Sequence, residues 1–302
     1  MSSPVRTTIE PIFDRTVSDI PEQLKGIDLI QHHVNQIREL SASDRIALRD
    51  HLEEYLQPME KLEASDIDLG GEGCLGKVWF RIFGTKRPWK ETLSYSYPET
   101  NVLILNLLND EQMERLMVHR SIDFSYQLSS NSDRRFRATV YFDMDHLGMN
   151  MRQINSEIRP FKGLSLHPEV AKHLSLKYLK YGLTLVTGIT GSGKSSTLDT
   201  IIDANNRSVH GHIVIVASPI ELVHKPYKCI IRHREVGKDV DSFRDGIVQA
   251  MRQDPDIVVI GELRDNVAIR NALEVTDSGH KVFSTLHTAS AMETIDRIIG
   301  ET

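Results

Sequence analysis

Cysteine is scarce: the 302-residue chain has Cys74 and Cys229 and no others. They are far apart and form no CxxC pair, which excludes a disulfide framework and a cysteine-built zinc site; such usage suits a reducing compartment. Aromatic residues are only 6% and are not interleaved with a basic stripe, so the stacking platform of a single-strand nucleic-acid binder is missing. Charge of one sign is not in large excess either. Thirty-six Lys and Arg against 42 Asp and Glu leave a formal net charge of −6, with no general pull toward nucleic acid or anionic lipid. No apolar run approaches the roughly 20 residues of a membrane-spanning helix, and the start Met1-Ser-Ser-Pro-Val-Arg6 carries no signal-peptide core. The chain is therefore expected in the cytoplasm, meeting a membrane only through partners, with no nucleic acid among them.

What is present is organised around Tyr181-Gly-Leu-Thr-Leu-Val-Thr-Gly-Ile-Thr-Gly-Ser-Gly-Lys-Ser-Ser-Thr197. Leu183, Leu185 and Val186 supply an apolar strand, a glycine loop follows, and a helix is predicted from Ser196 to Ala204. Gly188, Gly193, Lys194 and Ser195 fill the fixed positions of G-x-x-x-x-G-K-[ST], the loop that turns successive N–H groups toward a polyphosphate at a helix N-terminus. The candidate nucleotide-binding residues are Gly188, Thr190, Gly191, Ser192, Gly193, Lys194, Ser195 and Ser196. Lys194 can reach the β and γ phosphates and the Ser195 hydroxyl can ligate Mg²⁺. ATP and Mg²⁺ are the implied ligands.

With 40% hydrophobic residues, a chain of this length can bury more than one core. Residues 1–62 read as a helical extension, because Leu24, Ile27, Ile30, Val34 and Ile37, then Ile46, Leu52, Tyr55, Leu56 and Met59 after a cap at Ser43, recur at three- and four-residue steps. That extension is either a docking or oligomer surface or a helical cap over the neighbouring domain. From 63 to 165 the period turns to two. Val78, Phe80 and Ile82 alternate with polar or aromatic neighbours, and Ile122–Leu128 and Phe136–Phe142 form a predicted antiparallel hairpin, with a helix between Pro98 and Val118. On the hairpin's other face, Arg135 and Arg137 are either an ordinary solvated face or aimed at a phosphate. A linker runs from Ile154 to Pro168. Residues 166–302 alternate short apolar strands (Leu183–Val186, Ile213–Val216, Ile257–Ile260, Val282–Thr285) with helices, the pattern of a doubly wound parallel sheet.

In such sheets ligands bind beyond the carboxyl ends of the strands. The first strand delivers Lys194 and Ser195 there, the second Glu221, the third Glu262 and the fourth His287. Glu262 ends Asp254-Pro-Asp-Ile-Val-Val-Ile-Gly-Glu262. An acid after a buried strand is often a helix cap, but beside a phosphate loop it can hold the Mg²⁺ shell or orient the attacking water. Glu221 is either a solvated loop acid or a second carboxylate sharing that work. His287 can sense the γ-phosphate, or be structural, as a lone histidine more often is.

Gly188–Ser195, Ser218-Pro-Ile-Glu-Leu-Val-His224, Arg234-Glu-Val-Gly237, Arg252–Asp265, Gly279–Thr288 and Glu293-Thr-Ile-Asp-Arg297 together resemble the ordered motifs of the secretion-superfamily ATPases, nearest to the PilT-like motors of type IV pili and type II secretion. The resemblance covers roughly 64 to 302. It implies a PAS-like α+β domain before a RecA-like P-loop ATPase domain, and a ring of six identical subunits that hydrolyse ATP against an inner-membrane platform protein of a pilus or secretion machine. It implies that Glu221 and Glu262 are the catalytic carboxylates, that Ser195 and Glu262 serve the metal, that His287 is the His-box residue, and that Arg137 and Arg152 approach ATP bound by a neighbouring subunit. Pilus retraction is the expected role. A non-catalytic ATP-binding regulatory subunit and a ring translocase on nucleic acid are the rivals. The sequence departs from the family pattern at Ala217-Ser218, where two acids are usual, at Asp68 and at Asp145; the family's C-terminal helical region is expected to be absent or truncated.

Overall fold

The computed structural model describes residues 8–89, 94–154 and 157–301; the first residues of the chain and positions 155 and 156 of the expected linker lie outside them. The chain divides into two units, Met1–Asn155 and Ser156–Thr302, ahead of the boundary read near 165.

The N-terminal unit opens with helices α1 (Glu10–Val17), α2 (Gly26–Glu39) and α3 (Ala42–Leu56). In α2 the spaced Ile30, Val34 and Ile37 are buried, whereas Ile27, in the first turn, stays exposed. Ser41 rather than Ser43 caps α3, its hydroxyl accepting from the Asp44 N–H at 3.1 Å. Strands β1 (Ala64–Gly70), β2 (Trp79–Ile82) and β3 (Thr85–Pro88), helices α4 (Tyr97–Leu105) and α5 (Asp110–His119), and strands β4 (Ser121–Gln127), β5 (Arg135–Asp143) and β6 (His146–Gln153) follow. The helix expected from Pro98 to Val118 is thus two, because Asn109 and Gln112 form a reciprocal capping box that starts a new helix.

The sheet is antiparallel, in the order β3-β2-β1-β6-β5-β4, and the predicted hairpin is β4 with β5. Across it, Phe80, Ile67, Met151, Ala138 and Phe124 stand in register and all are buried. The adjacent row on the other face is Arg81, Asp66, Arg152, Arg137 and Ser125. Residues from α1, α2 and α3 join the sheet's inner face in one core. A buried carboxylate strengthens that join: Glu53 of α3 accepts from the Tyr126 hydroxyl at 2.7 Å, the Ser129 N–H at 2.9 Å and the Ser129 hydroxyl at 2.8 Å. Buried acids are tolerated where their oxygens are satisfied in this way.

The C-terminal unit holds α6 (Pro168–Leu174), β7 (Gly182–Thr187), α7 (Lys194–Ser208), β8 (Gly211–Ala217), β9 (Cys229–Glu235), α8 (Phe243–Met251), β10 (Ile257–Ile260), α9 (Asn266–Asp277), β11 (Lys281–Leu286) and α10 (Ala291–Glu301). Its five strands run β7-β11-β10-β8-β9, and every neighbouring pair is parallel. Along β10 the side chains alternate between two cores. Ile257 and Val259 pack with Leu198, Ile201 and Ile202 of α7, while Val258 and Ile260 pack with Ile269, Ala272 and Val275 of α9. A sheet covered on both faces explains why these strands read as unbroken apolar runs. The edge strand β9 escaped the sequence reading because only its ends are buried and its middle carries Arg232, His233 and Arg234.

Candidate nucleotide site

Parallel strands leave their carboxyl ends on one edge, so the segments after β7, β11, β10 and β8 meet there. The loop after β7 bends at Gly188, where an added Cβ would lie 2.6 Å from the Ser192 hydroxyl oxygen. Gly193 caps α7 with φ at 91°, left-handed backbone that favours glycine. Between them Thr190, Gly191 and Ser192 are exposed, and so are Ser195 and Ser196 in the first turn of α7. Lys194 is nearly buried, unlike its neighbours. Its ammonium donates to the Ile189 carbonyl at 3.0 Å and lies 3.3 Å from Nδ1 of His287. Both partners are neutral acceptors, so a buried positive charge has no carboxylate beside it among the described residues, the arrangement that rewards an incoming anion.

His287 follows β11 and joins two of the expected residues. Because an ammonium can only donate, Nδ1 of His287 must accept. The ring proton then resides on Nε2, which faces Oε1 of Glu262 at 3.3 Å. The second oxygen of Glu262 accepts from Nε of Arg264 at 3.0 Å. Two hydroxyls fix the strand ends that present these groups: Ser284 donates to the Ile260 carbonyl at 2.6 Å and Thr285 to the Gly261 carbonyl at 2.8 Å. From α10, Arg297 donates to the carbonyls of His287 at 3.2 Å and Arg264 at 3.1 Å. Lys194, His287, Glu262 and Arg264 thus form one continuous chain of contacts along the sheet edge.

Glu221 is carried at the same edge by the loop after β8, where the preceding Ile220 N–H donates to the buried Glu235 Oε2 at 3.2 Å. Arg137 and Arg152 stand opposite each other on β5 and β6 of the N-terminal unit. Nε of Arg152 donates to the buried Asp66 at 2.9 Å, and Arg137 lies 4.0 Å from Asp123. The roles of Arg264, Arg297 and Glu235 were not foreseen. Each acts through a single side chain on a loop, edge strand or helix, where no periodicity marks it. Among the described residues no group of three or more His, Cys, Asp or Glu is placed to hold a metal ion, and no helix is long and apolar enough to cross a membrane.

Residues 136–300 match the model of a family described as type II/IV secretion system protein. The type IV pilus retractation ATPase PilT of Pseudomonas aeruginosa is 38% identical over 203 residues, 67% of this chain and 58% of that protein. The type IV pilus ATPase PilU of the same organism is 34% identical over 201 residues, 67% of this chain and 51% of that protein. The chain therefore spans between half and two thirds of the length of these curated relatives. The crystal structure of the pilus retraction motor PilT with bound ADP superposes with a TM-score of 0.73 at 36% identity, covering 82% of this chain and 70% of that one.

Proposed function

As the chain belongs to the type II/IV secretion system protein family, we propose that it hydrolyses ATP as one subunit of a six-membered ring driving a type IV pilus or related secretion machine, in the retraction role. The observation that carries this reading is the run of contacts from Lys194 through His287 to Glu262, which joins a phosphate-binding lysine to a carboxylate through an imidazole. In this reading the loop Gly188–Ser196 binds the triphosphate and Lys194 exchanges the Ile189 carbonyl for phosphate oxygens. The exposed Ser195 hydroxyl and Glu262 are oxygen donors of the kind a hard cation takes, and fit Mg²⁺ that shares its shell with the phosphates; the ion would supply charge neutralisation at the γ-phosphate. Glu262 and Glu221 order and deprotonate the attacking water, and His287 couples Glu262 to the state of the lysine. Arg137 and Arg152 complete a neighbouring subunit's site. Similarity to retraction motors of pili supports the choice of machine, and an inner-membrane platform protein is the partner on which a cytoplasmic ring would work.

The rivals separate in one assay. ATP turnover is measured with and without single-stranded DNA on samples whose mass is determined. A ring that hydrolyses ATP and ignores DNA is expected. Stimulation by DNA would instead indicate a nucleic-acid translocase, and binding without turnover a regulatory subunit.

A further inference from the structure

The segment between β8 and β9 that carries Glu221 has no helix or strand over residues 218–228, so side chains hold its backbone in place of a ladder. At its start the Ile220 N–H is held by Glu235 at 3.2 Å. At its end Asn206 of α7 donates to the Lys225 carbonyl at 2.8 Å and accepts from the Tyr227 N–H at 2.9 Å. The middle is fixed by His224. Its N–H donates to Nε2 of His233 on β9 at 3.0 Å, and its ring stacks on that of His233 with planes 10° apart. His224 is only 3% exposed, and its Nε2 faces Oδ1 of Asp199 at 3.1 Å. A carboxylate accepts, so Nε2 carries a proton; Nδ1 is buried without a hydrogen-bond partner. Asp199 lies in the second turn of α7, the helix that Lys194 opens.

We propose that His224 is a positioning residue for Glu221. It locks the loop to β9 through its backbone and to the phosphate-loop helix through its ring, so that the acid and the phosphates keep one geometry. This rests on the reading of Glu221 as an acid acting on ATP. Fixing irregular backbone costs conformational entropy, and the ties made by Glu235, His224 and Asn206 offset that cost where no strand pairing does. Loss of the His224 ring removes the tie to α7 and the stack on His233 while its backbone bond to β9 remains, loosening the loop on the C-terminal side of the Ile220 tie and leaving the phosphate loop untouched. A displacement of about 1 Å is enough to cost on the order of 10²-fold in rate.

The test uses the full chain, with ATP turnover, ADP affinity by calorimetry and hydrogen exchange over residues 218–228. His224→Ala should lower kcat about tenfold to a hundredfold, leave KM and ADP affinity within a few-fold, and speed amide exchange in the loop. Asp199→Ala should do the same. His224→Gln, which keeps an N–H directed at Asp199, should recover most of the turnover. The Glu221→Ala, His224→Ala double variant should be no slower than Glu221→Ala alone, because a residue acting through another adds nothing once that one is gone. Wild-type kcat in His224→Ala, a further loss in the double variant, or no recovery with Gln overturns the proposal. Normal turnover in Glu221→Ala removes the catalytic reading of Glu221, and the proposal with it, while leaving the phosphate loop's role intact. Should His224→Ala fail to fold, the Gln and Asp199→Ala variants carry the same comparison.

Discussion

Lys194 Nζ and His287 Nδ1 lie 3.3 Å apart although 93 positions separate them in the chain. They meet because β7 and β11 are parallel neighbours, paired from Gly182 with Lys281 to Thr187 with Leu286. In the proposed reading the contact couples His287 at the end of β11, and through it Glu262, to whatever Lys194 binds. Phosphate that draws the ammonium away, in that reading, takes a donor from His287 on one side and leaves it Glu262 on the other.

In the proposed reading Lys194→Ala removes the main side-chain partner of the β and γ phosphates. Calorimetry with ATP is expected to show affinity reduced by at least tenfold. Unchanged affinity would take the loop at 188–196 out of the account.

The N-terminal unit should lose stability in acid through His33. Both ring nitrogens of this buried side chain are without hydrogen-bond partners, and burial first, then the charges of His32 and His146, pulls its pKa from 6.5 to about 4. A neutral histidine in the fold that charges more easily when unfolded contributes stability present above pH 6.5 and lost as pH falls toward 4. A shift of that size corresponds to roughly 3 kcal/mol at the acid end. Urea melts between pH 7 and pH 4 should show the loss in the wild type and a clearly smaller one in His33→Leu; identical pH slopes would exclude His33 as the source.

Much of this was legible in the sequence, for a physical reason. Buried strands such as Ile257–Ile260 cannot be polar and phosphate loops need glycine at set places, so β7, β8, β10 and β11, the loop at Gly188 and the acid at Glu262 could all be read directly. Among the missed strands, β1 and β3 are of another kind. β1 interrupts its apolar residues with Asp66 and Asp68, whose acids accept from Arg152 and Lys86 across the sheet, and β3 is mostly exposed. Tertiary pairing makes them strands, and a single chain segment does not show it. The same holds for Arg264, Arg297 and His224, whose roles exist only once distant elements meet.

If Arg137 and Arg152 serve a neighbour's site, a subunit with either changed to Ala and one carrying Lys194→Ala should each be nearly inactive alone and recover turnover on mixing, because some interfaces then combine the intact halves. Normal turnover by the arginine variants on their own would confine these residues to their ion pairs with Asp66 and Asp123.

The Ala217-Ser218 pair should not disable the site. The Gly261 N–H donates to the Val216 carbonyl at 2.8 Å, and a Cβ built on Gly261 would lie 2.8 Å from that of Ala217, so position 217 abuts the end of β10, while Glu221 lies beyond Ile220 on the loop. Ala217→Glu with Ser218→Asp should change ATP turnover by less than about tenfold, below the scale of a general base. Rescue of a nearly inactive wild type would show that the natural chain binds ATP without using it.

Phosphate release on mixing with ATP, compared between the wild type and Glu262→Gln, tests the central claim most directly. The amide keeps the size of the side chain and loses the charge needed at metal and water. The wild type is expected to release phosphate over many turnovers, and Glu262→Gln to hold ATP while releasing phosphate at least about 10²-fold more slowly. Release by the variant within a few-fold of wild type would contradict the assignment and leave Glu262 a structural partner of His287 and Arg264.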